Sequence, residues 1–214
     1  MSANPDKPPR KQQQRSIQTK QKLLDAALEA FAENGFKGTS TRDIAERAGV
    51  HHPLITYHFT NKEELWRAAA DRLFTEFNTA LLSAAQAGES PKVRMSAMIR
   101  AYVHYAASQP ALHKVILHEA SRPSHRLDWL IENHLRPLYK AAVEELEVLQ
   151  EQGVAPSGDP ALLFNLIRVS SGGLLALSLE LKGTSGLDLE QPAQLDALAD
   201  MIVQVLLPGE FEAE

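Results

Sequence analysis

The chain has 214 residues, 44% of them hydrophobic and 23% charged, with a net charge of −5, which leaves room for one large domain or a small domain plus a medium one. It contains no cysteine; this excludes disulfides, thiolate zinc sites and cysteine catalysis, and agrees with a reducing compartment. Its first residues carry no apolar run of signal-peptide type and no stretch approaches the roughly 18 consecutive apolar residues of a spanning helix, so a soluble, cytoplasmic protein without a membrane partner is expected.

Charge is unevenly spread. Residues 1–66 hold ten Lys/Arg against eight Asp/Glu, a net of +2, and residues 67–214 hold twelve against nineteen, a net of −7. The first part tolerates phosphates and the acidic body repels them. Residues 1–16 combine three prolines and three glutamines with few apolar groups and read as a flexible arm. Arg10, Lys11 and Arg15 at its inner end either touch DNA or are merely solvated.

From Ile17 onward the periodicity is helical. Ile17, Leu24, Leu28 and Phe31 form the stripe of a first helix that ends at Gly35, with Phe36 packing back over it. A short second helix, 41–48, starts at a Ser40–Asp43 capping box and turns Ile44, Ala45 and Ala48 inward. Gly49 breaks it. A third helix, from about 52 to 59, has Pro53 in its first turn and Ile55 and Phe59 facing inward. A fourth opens at Asn61, with Glu64 three residues on, and runs about 25 residues to Gly88, longer than the average helix. Prolines 91 and 110 open the next two. A long segment to Gln152 should bend at Pro137, which lacks a backbone donor. Helices from 160 to 181 and from 192 to 207 close the chain. The expectation is an all-α fold of nine or ten helices, with no segment of strand alternation.

Two short helices joined by Gly49–Val50–His51 make a helix-turn-helix pattern, whose second helix must fit a major groove about 12 Å wide. The stretch TKQKLLDAALEAFAENGFKGTSTRDIAERAGVHHPLITYHFTNKEELW resembles the DNA-binding domain of the TetR/AcrR family of transcriptional regulators. The matches are Ala27, Phe31, Gly35–Phe36, the Thr-Ser-Thr entry to the second helix, Ile44–Ala45, Ala48–Gly49–Val50, Tyr57–His58–Phe59 and Lys62–Glu63–Glu64–Leu65. The resemblance implies that Thr41 and Arg42 meet backbone phosphate and nearby bases. It also implies that His52, Pro53, Leu54 and Thr56 meet bases, and that Tyr57, His58 and Lys62 hold phosphates. The chain departs from the family at Thr56, where tyrosine is common, and at His51, which replaces a serine cap. Two residues have competing readings: Tyr57 could pack between helices 1 and 3, and Lys62 could be a solvated first-turn residue. Histidines 51, 52 and 58 make a mildly pH-dependent DNA affinity conceivable.

The same resemblance implies an N-terminal three-helix domain (17–66) and a larger helical effector-binding and dimerisation domain (67–207), followed by an acidic tail (208–214). It implies a homodimer that reads a near-palindromic operator on double-stranded DNA. Two apolar stripes suit the pairing: Leu163, Leu166, Ile167, Ser170, Leu174 and Leu177 in one, and Leu195, Leu198, Ile202 and Val205 in the other. Burial within one chain is the competing reading. Phe74, Phe77, Tyr102, Tyr105, His113, Ile116, Trp129, Tyr139, Phe164 and Arg168 are the candidate lining of a pocket for a small hydrophobic or aromatic effector. There is no phosphate-cradling glycine loop, no GxSxG and no His-Glu metal spacing. No enzymatic activity, metal or cofactor is expected; the competing class is an enzyme or small-molecule carrier with an incidental helix-turn-helix.

Overall fold

A computed structural model describes residues 10–86 and 88–209. The described residues contain helices and no strand. The helices α1 (Arg10–Gly38), α2 (Thr41–Arg47), α3 (Pro53–His58), α4 (Lys62–Ala85), α5 (Pro91–Ser108) and α6 (Ala111–Ala120) come first. Then α7 (His125–Leu130), a π-helical turn (Ile131–Leu135) and α8 (Arg136–Glu151) form one run. A second composite run joins α9 (Pro160–Arg168), a π turn (Val169–Gly173), a 3-10 turn (Leu174–Leu177) and α10 (Ser178–Ser185), before α11 (Pro192–Leu206). Counted as continuous runs these are nine helices among the described residues, as the periodicity required.

Local chemistry explains the boundaries. Ser40, Ser90, Ser124 and Asp159 each accept a backbone N–H of the first turn they precede, and prolines 91, 160 and 192 open helices where a missing N–H is harmless. The Ser40 box is half-formed, because Asp43 turns to Arg47 instead. At α4, Asn61 accepts the Glu64 N–H and the Glu64 carboxylate accepts the Thr60 N–H. The bend expected at Pro137 is the π turn just before it, where the ring has displaced the regular ladder.

Two compact units divide within α4, between Arg72 and Leu73, six residues beyond the boundary expected from sequence. In the first unit Leu23, Ala27, Phe31, Ile44, Ile55, Phe59, Leu65 and Trp66 form the core. Arg47 ties α2 to α1 through Glu33 at 2.7 Å, and Arg72 ties α4 to α1 through Asp25. In the second unit α5, α8, α9 and α11 close around Ile99, Val103, Leu146, Leu149, Leu163, Ile167, Leu195, Ala199 and Ile202.

Three expectations are corrected. The flexible arm fails for residues 10–16, which are the first turns of α1: glutamine, lysine and arginine are good helix formers, and no proline interrupts them. The rest of the arm and residues 210–214 of the acidic tail lie outside the described residues. Ile17 is exposed and takes no part in the core stripe, since it lies before the turns that meet α2 and α4. Finally, Leu163, Ile167, Leu195 and Ile202 face the chain's own core and are unavailable to a partner. The apolar surface left exposed nearby is Leu162, Leu166, Val169, Leu177, Met201 and Val205. The run Pro160–Ser185 is long and apolar enough, by length and composition, to cross a membrane. It contains no 18 consecutive apolar residues, because Asn165, Arg168 and the Ser170–Ser171 pair interrupt it.

Gly35 carries the sharpest backbone constraint. Its φ of 66° and ψ of 175° fall in a region essentially reserved for glycine. The turn lets Phe36 stack on Phe31 with ring centroids 5.8 Å apart, and puts the buried Thr39 hydroxyl 2.9 and 2.8 Å from the carbonyls of Ala30 and Gly35. Gly35→Ala should lower stability by about 1–3 kcal/mol, read as a reduced denaturation midpoint in urea with an unchanged slope.

Candidate nucleic-acid interface and ligand cavity

The short α3 buries Ile55 and Phe59, both at or below 2% exposure, and leaves its other faces outward. His52, Pro53, Thr56 and Tyr57 are exposed and Leu54 is half-buried. Tyr57 is 73% exposed and touches the edge of the His58 ring, which removes the reading that it packs between α1 and α3. At the start of α2, Arg42 is exposed and Thr41 half-buried. The Thr41 hydroxyl lies 3.0 Å from His52 Nε2, joining the openings of α2 and α3 into one polar ledge. Sequence periodicity gave no sign of this pairing, which spans the turn. The Thr56 hydroxyl donates to the Pro53 carbonyl.

Two members of the expected phosphate set differ from the others. Lys62 donates to the carbonyls of Phe36 at 2.7 Å and Thr39 at 2.8 Å, with its ammonium 4.3 Å from the Phe36 ring centroid. Its side chain is committed to the loop after α1, contrary to both sequence readings, because those carbonyls sit at a helix end and lack intrahelical partners. His58 is half-buried, and burial, then the positive charge of Lys20, pushes its pKa below the ordinary value. Any protonation of it is therefore displaced to lower pH.

The second unit holds a cavity of about 410 Å³, its mouth included. Leu81 of α4, then Met95, Met98, Ile99 and Tyr102 of α5, form one side. The other side is Leu138, Ala142 and Leu146 of α8 with Phe164, Ile167 and Arg168 of α9. Of the ten candidate pocket residues, Tyr102, Phe164 and Arg168 line this space. The remaining seven do not line it. Phe77 packs between Tyr102 and Tyr105, and the Tyr105 hydroxyl donates to the Leu73 carbonyl. Phe74 stacks on His134, and Trp129 meets the same ring edge-on. Tyr139 packs edge-on against Phe164, Ile116 is a half-buried residue of α6, and His113 stacks behind Tyr102. Sequence reasoning favoured aromatics; the wall is mainly aliphatic, and helical spacing does not say which core residues face a void.

Burial governs the polar groups behind the wall. The buried Tyr102 phenol is pushed up to about 12, with the charge of Arg168 working in the opposite direction. Burial, then Arg168, depresses His113 to about 4. The His113 ring lies against Gly172, where any Cβ would overlap it, so glycine at 172 is a packing requirement. Elsewhere, buried Glu119 pairs with Arg126 at 3.0 Å and accepts from Ser124, and no group of three or more metal-ligating side chains occurs among the described residues.

Comparison with known proteins agrees with this geometry. The sequence model described as "Bacterial regulatory proteins, tetR family" matches residues 23–69. The HTH-type transcriptional repressor KstR2 of Mycobacterium tuberculosis is 31% identical over 151 residues, 68% of this chain and 74% of that protein. The biofilm operon negative transcriptional regulator IcaR of Staphylococcus epidermidis is 35% identical over 63 residues. That match covers 29% of this chain and about a third (34%) of the relative. Among solved structures, AibR in complex with isovaleryl coenzyme A and operator DNA superposes with a TM-score of 0.67 at 21% identity, covering 90% of this chain and 100% of that one. A likeness at that identity is one of fold.

Two outcomes follow. Lys62→Met should destabilise the first unit by about 2 kcal/mol, since charge-assisted hydrogen bonds of this kind contribute about 1.5–3 kcal/mol each; thermal unfolding of the DNA-free protein measures it. His113 is neutral both folded and unfolded above its ordinary pKa of 6.5, and contributes nothing there. As pH falls from 6.5 towards 4 the unfolded chain takes up a proton that the folded ring refuses, so stability is lost across that window by at most about 3 kcal/mol. His113→Gln should flatten that part of the stability–pH curve.

Proposed function

The chain belongs to the tetR family of bacterial regulatory proteins, and from that premise we propose that it is a sequence-specific transcriptional regulator, a repressor released from a near-palindromic operator by a small apolar effector. The observation that carries this reading is α3, whose inner face is fully used by Ile55 and Phe59 while Thr56 and Tyr57 stay exposed. A helix held in this way can enter a major groove. Arg42 and Tyr57 are the phosphate contacts, and His52, Pro53, Leu54 and Thr56 the base-reading set, with Thr41 bridging to His52. The reading involves no chemical step and no cofactor, and a cytoplasmic location goes with it.

A second copy of the chain covers the exposed apolar groups of α9, the turns after it and α11. Leu166, Val169, Met201 and Val205 are each more than half exposed, unusual for residues of this type in one neighbourhood. Pairing through them gives a dimer two recognition helices for the two half-sites of a near-palindrome, and accounts for the apolar run Pro160–Ser185 without a bilayer. The aliphatic cavity supports the effector half of the proposal. AibR, of the same fold, has been crystallised with both an acyl coenzyme A and operator DNA. Effector release then depends on the difference in effector affinity between the DNA-competent and incompetent arrangements.

Fluorescence anisotropy against the DNA flanking its own gene, backed by random-site selection, tests this. Salt-sensitive binding to a selected site is expected, and its absence in both experiments overturns the proposal. Arg42→Ala should weaken selected and random DNA alike and reduce the salt slope by about one, with folding unchanged. Leu166→Glu combined with Val205→Glu should give a monomer by analytical ultracentrifugation.

A further inference from the structure

The surface that faces the cavity is apolar, and Tyr102 and Arg168 are the lining residues that carry polar groups. Tyr102 is already engaged, its hydroxyl 3.3 Å from His113 Nε2. Arg168 is held differently. Its Nε and Nη2 both lie 3.3 Å from the amide oxygen of Asn165, one turn earlier in the chain. That edge of a guanidinium is one where a carboxylate binds in bidentate fashion. Asn165 therefore orients the group with a neutral oxygen and leaves its charge uncompensated. Among the described residues no carboxylate pairs with Arg168. Three of its five N–H donors remain, and its field reaches the phenol of Tyr102 and the ring of His113 behind the wall.

We propose that the cavity takes an amphiphile with one apolar chain and an anionic head group, the chain lying among Leu81, Met95, Ile99, Ala142 and Leu146 and the head meeting Arg168. The inference deepens the effector reading above and rests on it for its regulatory meaning. A lone cation beside an apolar wall selects by charge: an anion completes it, a neutral head leaves it as it was, and a cation is repelled. The enclosed part of the space is small, since the 410 Å³ includes the open mouth, which favours short and medium chains. The two methionines, flexible and polarizable, adapt the wall to chains of different shape. The head group can be a free carboxylate or the phosphates of an acyl thioester carrier; both offer an anion at the mouth.

Calorimetry on the full chain without DNA decides it. The probes are hexanoate, octanoate, decanoate and palmitate, with octanol, octyltrimethylammonium and octanoyl coenzyme A for comparison. Affinity should rise about fourfold per added methylene and level off once the cavity is full. Octanoate should bind at least tenfold more tightly than octanol, and the cationic amphiphile more weakly still. Arg168→Gln should erase the preference for octanoate over octanol while leaving the octanol affinity within twofold, which also reports an intact cavity. Arg168→Lys should keep part of the preference. Octanoate against octanoyl coenzyme A identifies the source of the anion. The proposal is overturned if octanol or the cation binds as tightly as octanoate, if the Gln variant keeps the preference, or if nothing in the series binds. Titrating the same ligands against the protein–DNA complex separates the two readings: head-group selectivity without DNA release overturns the regulatory reading alone.

Discussion

A helix of six residues has no stability of its own, and the first unit is built around that constraint. α3 persists because Ile55 and Phe59 are inserted into a core made by α1, α2 and α4, and because the surrounding loops are tied at few points. Gly35 turns the chain so that Thr39 can cap α1 from inside. Lys62 then neutralises the open carbonyls at that turn, fastening the start of α4 to the end of α1. Arg47 and Arg72 secure α2 and α4 to the same helix. Every tie lies on the inner side or the flank, so the outer side of α3 is free of structural duty and can carry Thr56 and Tyr57.

The second unit solves a different problem. A helical shell packs well when its members are uniformly apolar, yet recognition of a small molecule needs at least one polar group facing inward. The one charged residue in the cavity's lining, Arg168, stands at the end of α9, immediately before the π turn, where regular α geometry gives way. Its neutral partner Asn165 fixes direction without cancelling charge. Behind Tyr102, the half-buried His113 has a buried, unpartnered Nδ1, and its ring against the bare backbone of Gly172 shows how tightly the layer outside the cavity is filled. The cavity is thus a gap beside a dense layer, and Arg168 is the only charged residue that lines it.

Much of this was legible in the sequence, and what was not has identifiable causes. Ile55 and Phe59 at i, i+4, the serine caps, the stop at Gly35 and the helix-opening prolines are local signals and gave the element order. The DNA-facing set could be carried over in register because the resemblance ran without a gap. The role of Lys62 was hidden because its acceptors lie 23 and 26 residues away. The extension of α1 to Arg10 was missed because polarity was weighed above helix propensity. Leu163, Ile167, Leu195 and Ile202 share helices with exposed leucines, and periodicity alone does not tell an inward apolar face from a second, outward one. The π turns were not legible: the Gly172–Gly173 pair lowers helix propensity within Val169–Gly173, but propensity does not say that a wider turn results.

That π turn gives the composite run 160–185 an angular freedom that a uniform helix lacks. In an unbroken α-helix each residue is fixed about 100° from the next, so whatever sets the direction of Arg168 also dictates the direction of every later side chain. A wider turn between them acts as a phase joint. The segment before it can be tuned to the shape of a bound molecule while the segment after it keeps its own azimuth. Descendants of this chain can therefore drift in what they sense without first reinventing the surface on the far side of the joint.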